Sequence, residues 1–247
     1  MMQLFLVQLF GHMLGDFYMQ CERMCSSKRD EGFKSIWLYV HIILVFFVAW
    51  GVTWTVSFWW AAMLIAILHG AVDGIKSYLS RFKKITNRLF WLDQLIHVAV
   101  IGGVVWLYYH WYGWDEWQWL SPYRAVMALG FAFCLWPANF FIGEFLGVIK
   151  VEKKEPNGKV KEVKSTLDPS RVIGSVERML VFLFVWLGQY GAIGFLIAAK
   201  SVMRFPEKGK GDEANNAEYY LVGSLLSFGL AIMMAASILA LHKKGVL

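Results

Sequence analysis

Cysteine is scarce in this chain: Cys21, Cys25 and Cys134 make an odd number, and the first two fall at the basic end of an apolar span, where thiols stay reduced. Cys21 and Cys25 stand four apart, but no further cysteine or histidine lies nearby in sequence to complete a metal cluster, so they are taken as ordinary thiols. Charge is scarce too. Only 17% of residues are Asp, Glu, Lys or Arg against 58% hydrophobic, and a mean hydropathy of +0.49 excludes a soluble domain of this length. A Gly-x-Ser-x-Gly nucleophile elbow and a phosphate-binding glycine loop are both absent, which removes triad hydrolases and nucleotide-loop enzymes from consideration. The first apolar stretch lacks a basic leader and a small-residue cleavage site, so it is expected to remain in the mature protein.

What is present is a series of apolar stretches. The expected fold is all-α, a polytopic transmembrane bundle of about seven spans at 3–20, 36–56, 57–79, 89–111, 124–148, 172–199 and 219–241. The sixth is long and carries Gly188, Gly191 and Gly194, so it is either one tilted helix or two half-helices broken around Gln189 to Gly194. Three regions are expected: a four-helix bundle over 1–111, a fifth helix with a polar loop over 112–170, and a helical membrane region over 171–247.

The net charge of +6 is concentrated in loops: Arg23 to Lys34, Arg81 to Arg88, and Lys150 to Arg171. By the positive-inside rule those loops are cytoplasmic, and the charge speaks to lipid headgroups rather than to nucleic acid. The connections around Thr53 to Ser57 and Trp111 to Pro122 have almost no Lys or Arg, and five tryptophans lie between Trp106 and Trp119, as expected of an outer interface with an outside amino terminus.

Into these apolar spans the sequence inserts three pairs at helical spacing: His12 with Asp16, His69 with Asp73, and Asp93 with His97. Residues four apart share a helix face, so each pair can hold an ion between two turns or pass on a hydrogen bond. A charged Asp at mid-membrane costs roughly 2.5–3.5 kcal/mol on insertion scales, so such residues need a reason. With basic loops on the cytoplasmic side, all three pairs fall within about two helical turns of that surface. His41 shares that depth as a seventh ligand or a proton shuttle. Gln20 extends the first stripe. Lys76 follows Asp73 by three, as a counter-ion or a holder of a substrate phosphate oxygen. Mixed imidazole and carboxylate donors suit zinc first, then manganese or iron. Six or seven ligands exceed one tetrahedral shell, so either two ions share a bridging Asp or one ion has His ligands with Asp residues behind them. A buried proton relay or structural polar network is the competing account.

The segments HMLGDFYMQ (His12 to Gln20), HGAVDGIKS (His69 to Ser77) and LDQLIH (Leu92 to His97), with His41 between the first two, resemble a bacterial membrane family known as domain of unknown function 3307. The later run GSVERML…GQYGAIGFLIAAKSVMRF…AEYYLVGSLLSFG is similar to longer members. The resemblance implies a single site in the bacterial inner membrane and brings no reaction.

The second half carries its own charges: Glu177 and Arg178, Gln189, and Lys200. Adjacent Glu177 and Arg178 cannot face each other on a helix, so each needs a partner, with Glu144, Arg171 and Lys200 as candidates. A site of this chemistry, one or two turns below cytoplasmic headgroups, points to a metal-dependent hydrolase of a lipid or lipid-linked substrate. Alternatives are a divalent-metal or proton transporter, or a sensor or assembly protein with a structural metal.

Overall fold

A computed structural model describes residues 1–80, 86–115, 117, 119–148, 169–204 and 212–245. The polar loop expected around Pro156 to Gly158 lies outside the described residues. Among those described, the regular structure is helical throughout and no strand occurs. The helices are α1 (Met2–Met13), α2 (Glu22–Glu31), α3 (Ile36–Gly51), α4 (Trp59–Leu79), α5 (Thr86–Tyr112), α6 (Pro122–Leu135), α7 (Pro137–Val148), α8 (Pro169–Trp186), α9 (Tyr190–Arg204) and α10 (Asp212–Lys243). They fall into two compact units, Met1–Leu129 and Gly130–Leu247.

In the first unit α1, α3, α4 and α5 close into a four-helix bundle: α3 packs on α4, α4 on α5, and α1 on both α3 and α5. Its core combines Leu4, Val45, Ala49, Ile65, Ile101 and Val105 with the small residues Ala61, Ala62 and Ala66 of α4, which let the backbones approach closely. The outward faces are also apolar, with Ile43, Phe47, Met63, Ile67 and Leu95 exposed. Helices apolar all round suit a lipid surround rather than water. At one end of the bundle buried Gln3 receives hydrogen bonds from Trp114 Nε1 (2.9 Å) and the Trp117 amide (3.0 Å) and donates to the Trp117 carbonyl (3.0 Å), pinning the aromatic connection after α5. Gln8 donates to the Ala49 carbonyl at 2.8 Å and ties α1 to α3.

In the second unit α8 packs on α10, with α7 and α9 alongside α8. A Cβ on Gly130 would come 2.8 Å from the Phe182 ring, so only glycine lets α6 and α8 meet there.

Among the described residues, three helical segments are long and apolar enough to cross a membrane, Val56–Leu79, Leu89–Tyr112 and Val222–Lys243, or up to five if two bent pairs each count as a span. The count of about seven differs because apolar runs break where hydropathy alone reads them as continuous. The run over 124–148 splits at Trp136, where Pro137 supplies no amide hydrogen and bends α6 against α7 by 58°. The sixth run breaks at Leu187–Gln189, earlier than expected, where Gly188 takes a φ of 70° that other residues avoid. The basic stretch expected as a loop between the first two spans is largely α2, bent 107° from α3. α1 itself has only 12 residues before its geometry changes.

Candidate functional site

The change at the end of α1 concerns Asp16 directly. Leu14–Tyr18 forms one π-helical turn, closed by the Met19 amide on the Leu14 carbonyl at 3.0 Å. Such turns hold an extra residue, re-aim the side chains beyond them, and recur at functional sites. Here the turn brings Asp16 toward α3 and α4.

The three predicted pairs are not hydrogen-bonded within themselves through their side chains. His12 and Asp16 stand 3.9 Å apart, His69 and Asp73 4.0 Å, and His97 and Asp93 3.6 Å, all beyond hydrogen-bond reach. The shortest contacts among these residues run between helices. Asp16 Oδ1 lies 3.2 Å from His69 Nε2 and 3.3 Å from His41 Nε2, and those two nitrogens are 2.9 Å apart. Three potential donor atoms from α1's π-turn, α3 and α4 thus form a triangle with edges near 3 Å. Gln20, beyond the π-turn, reaches the same place by another route, its amide nitrogen 2.6 Å from His41 Nε2 and its oxygen accepting from Cys25 Sγ at 3.3 Å.

Around this triangle the predicted residues of the first unit do converge. Three trios have ligand atoms mutually within 4.8 Å: His12, Asp16 and His69; His41, His69 and Asp73; Asp73, Asp93 and His97. The rings of His12 and His97 stack at 5.1 Å, and those of His69 and His97 lie 4.1 Å apart. His97 Nδ1 is 2.8 Å from the Asp93 backbone carbonyl, which must accept, so Nδ1 carries the proton and Nε2 presents a lone pair. That Nε2 is buried and without a hydrogen bond, as are both ring nitrogens of His12, Asp16 Oδ1 and Asp93 Oδ1. Buried polar atoms are normally satisfied, and five exceptions on one site call for an explanation.

Two ammonium groups enter the same region. Lys76 donates to Asp93 Oδ2 at 2.7 Å and lies over the Phe90 ring at 5.9 Å. Lys28, expected only as part of a basic loop, donates to Asp73 Oδ2 at 2.6 Å. Its signal was the four-residue spacing with Met24: both are buried on the same face of α2 while Glu22, Arg23, Arg29 and Asp30 stay exposed. Gly70 and Gly74 set the approach of α4, since a Cβ would come 2.3 Å from Ile42 at the first and 2.2 Å from Phe33 at the second. Without that closeness His41 and His69 would not meet.

The candidates of the second half do not form a comparable cluster. Glu177 pairs with Lys200, as one of the anticipated solutions. Arg178 finds no acid among the described residues. It donates to the Cys134 carbonyl (3.0 Å), Ser227 Oγ (3.1 Å), Asn139 Oδ1 (2.7 Å) and Ser175 Oγ (3.0 Å). The Cys134 carbonyl belongs to the last turn of α6, so Arg178 caps the end that the Pro137 break leaves open. Gln189 is exposed at the α8–α9 break, its amide closing the turn on the Phe184 carbonyl at 2.8 Å.

Among known families, a model described as "Protein of unknown function (DUF3307)" matches residues 4–127. No curated protein and no solved structure matches the chain.

Proposed function

This chain belongs to the DUF3307 family of proteins of unknown function, and from that premise we propose that it is a metal-dependent hydrolase of the bacterial inner membrane, crossing it several times and acting on a lipid or lipid-linked substrate at the cytoplasmic leaflet. The observation that carries this reading is the triangle of Asp16 Oδ1, His41 Nε2 and His69 Nε2, with edges of 2.9, 3.2 and 3.3 Å. A tetrahedral zinc site with bonds near 2.1 Å has ligand-to-ligand edges of roughly 3.4 Å, so a cation seated on this face needs only small shifts of the three atoms. Zinc is the favoured ion, with manganese and iron also suited to the donors.

Charge supports the same position. Asp73 and Asp93 each have an ammonium partner, whereas Asp16 among the described residues faces only imidazoles. With the four imidazoles neutral, three carboxylates against two ammonium groups leave one negative charge, and a divalent ion turns this into one positive charge. A hydroxide then brings the buried site to neutrality. The ion would make bound water acidic enough to supply that hydroxide near neutral pH. Water activated in this way would attack a carbonyl carbon or phosphorus as the bond to the leaving alcohol breaks. His97, whose Nε2 lone pair is buried beside His69, would take the proton from that water and return it to the leaving alcohol.

The test is elemental analysis of the purified full chain, then incubation with a mixed lipid extract and mass spectrometry. One transition metal per chain together with metal-dependent cleavage products is the expected result; metal-free protein after careful preparation would end the proposal. A proton or divalent-metal carrier is the second reading, favoured by the unbroken run of short contacts from Gln20 through His41 to His69. Uptake into liposomes without lipid cleavage would select it.

A further inference from the structure

Lys28 is unexplained by the bundle and unneeded as an ion ligand. It comes from a helix whose other charged residues face outward, yet its side chain is only 9% exposed and its ammonium meets Asp73 Oδ2. Burying an ammonium group is costly even when it is paired. An ammonium carries three N–H donors, and among the described residues Lys28 and Lys76 each meet one acceptor, leaving donors unspent. Lys76 is the more open of the two, with 36% of its side chain exposed. The carboxylates they hold, Asp73 and Asp93, share a trio with His97 beside the triangle. Two ammonium groups with spare donors therefore flank the place where an ion-activated reaction would occur.

Donor chemistry narrows what can be bound there. With the hydroxide that would neutralise the ion-loaded site kept as the attacking group, a neutral ester or amide offers the unspent N–H donors one carbonyl oxygen, whereas a phosphate ester offers several charged acceptor oxygens to both ammonium groups. We infer that Lys28 and Lys76 together seat the phosphate group of an anionic substrate next to the ion, which makes the substrate class a phosphate ester rather than a neutral lipid ester or amide. This rests on the ion of the proposed hydrolase. The phosphate group has two possible sources, a lipid headgroup or a soluble phosphate ester, and the chemistry of the seat, which orthophosphate probes by itself, is common to both.

The experiment measures binding to zinc-loaded full-length protein in a maltoside detergent, with three probes: radiolabelled orthophosphate, dihexanoyl phosphatidylglycerol and, as a neutral comparison, dihexanoylglycerol. Both anionic probes, or the lipid alone, are expected to bind, and the neutral one not. Lys28→Gln and Lys76→Gln should each weaken anion binding by roughly ten-fold or more with zinc per chain unchanged, and Lys28→Arg should retain most of it. Lys76→Gln keeps the test open should Lys28→Gln fail to fold. Binding of the lipid alone identifies a headgroup; equal binding of orthophosphate identifies the phosphate group as sufficient. Wild-type protein that takes up neither anion, or variants that bind as tightly as wild type, overturn the lysine seat. Absence of zinc in the wild type counts instead against the ion, and phosphate binding that still depends on Lys28 would then uphold the seat by itself.

Discussion

His97 has its proton placed by the backbone: with Nδ1 bound to the Asp93 carbonyl, the tautomer is set and Nε2 faces inward unprotonated. His41 is held differently, between Gln20 and His69, so its Nε2 belongs to the triangle. The two histidines should therefore respond differently. Asp16→Asn or His41→Ala removes a corner of the triangle and is expected to lower zinc affinity by roughly a hundred-fold or more, while Asp93→Asn, one step removed, costs about ten-fold. Competition titration with a chelator of known affinity measures both. Equal losses would mean that the ion sits between the trios instead of on the triangle. That Asp16 would matter was legible from its spacing to His12; that its partners are His41 and His69 was not, because i to i+4 spacing describes one helix and these contacts join three.

At the scale of the element, the π-turn at Leu14–Tyr18 and the glycines of α4 do the positioning. Deleting Gly15 removes one residue from the five of the turn and returns the segment to α-helical register, rotating the downstream residues by about 100°. The expected outcome is a chain with unchanged helix content by circular dichroism and zinc binding lost. Gly70→Val acts from the other side: it forces Ile42 away from α4 and costs roughly 1–3 kcal/mol of overpacking, visible as a lower thermal midpoint and, through the widened gap between His41 and His69, as weaker zinc binding. α2 belongs to this scale as well. Its basic residues suggested a loop because a short polar helix has no long apolar run, and only the buried face formed by Met24 and Lys28 marks it.

For the whole molecule, the division into units ending and beginning at Leu129 and Gly130 separates two kinds of buried charge. The first unit gathers carboxylates and imidazoles with unsatisfied atoms, whereas Arg178 in the second has neutral acceptors on α6, α7, α8 and α10. Arg178 is therefore read as a clamp. Arg178→Met should destabilise the protein by roughly 2–4 kcal/mol, since it strands several buried acceptors, and zinc per chain should stay at the wild-type value. Thermal unfolding and elemental analysis on the same preparation check both halves of the statement, and a loss of metal in this variant would show that the clamp and the site are coupled.

The sequence alone determined that this is a helical chain with spans fit for a membrane, that imidazole and carboxylate groups are placed inside them, and that its first half belongs with a recognisable family. Those properties are local: hydropathy over some twenty residues and spacing over one turn are written in the order of the amino acids. The tertiary structure decided which side chains meet. It turned a basic loop into a helix that delivers Lys28, and it selected Asp16, His41 and His69, from three different elements, as the groups that come closest. The reason is physical: which groups come within 3 Å depends on how closely and at what rotation two helices pack, and that is set by Gly70, Gly74 and the extra residue of the π-turn acting together.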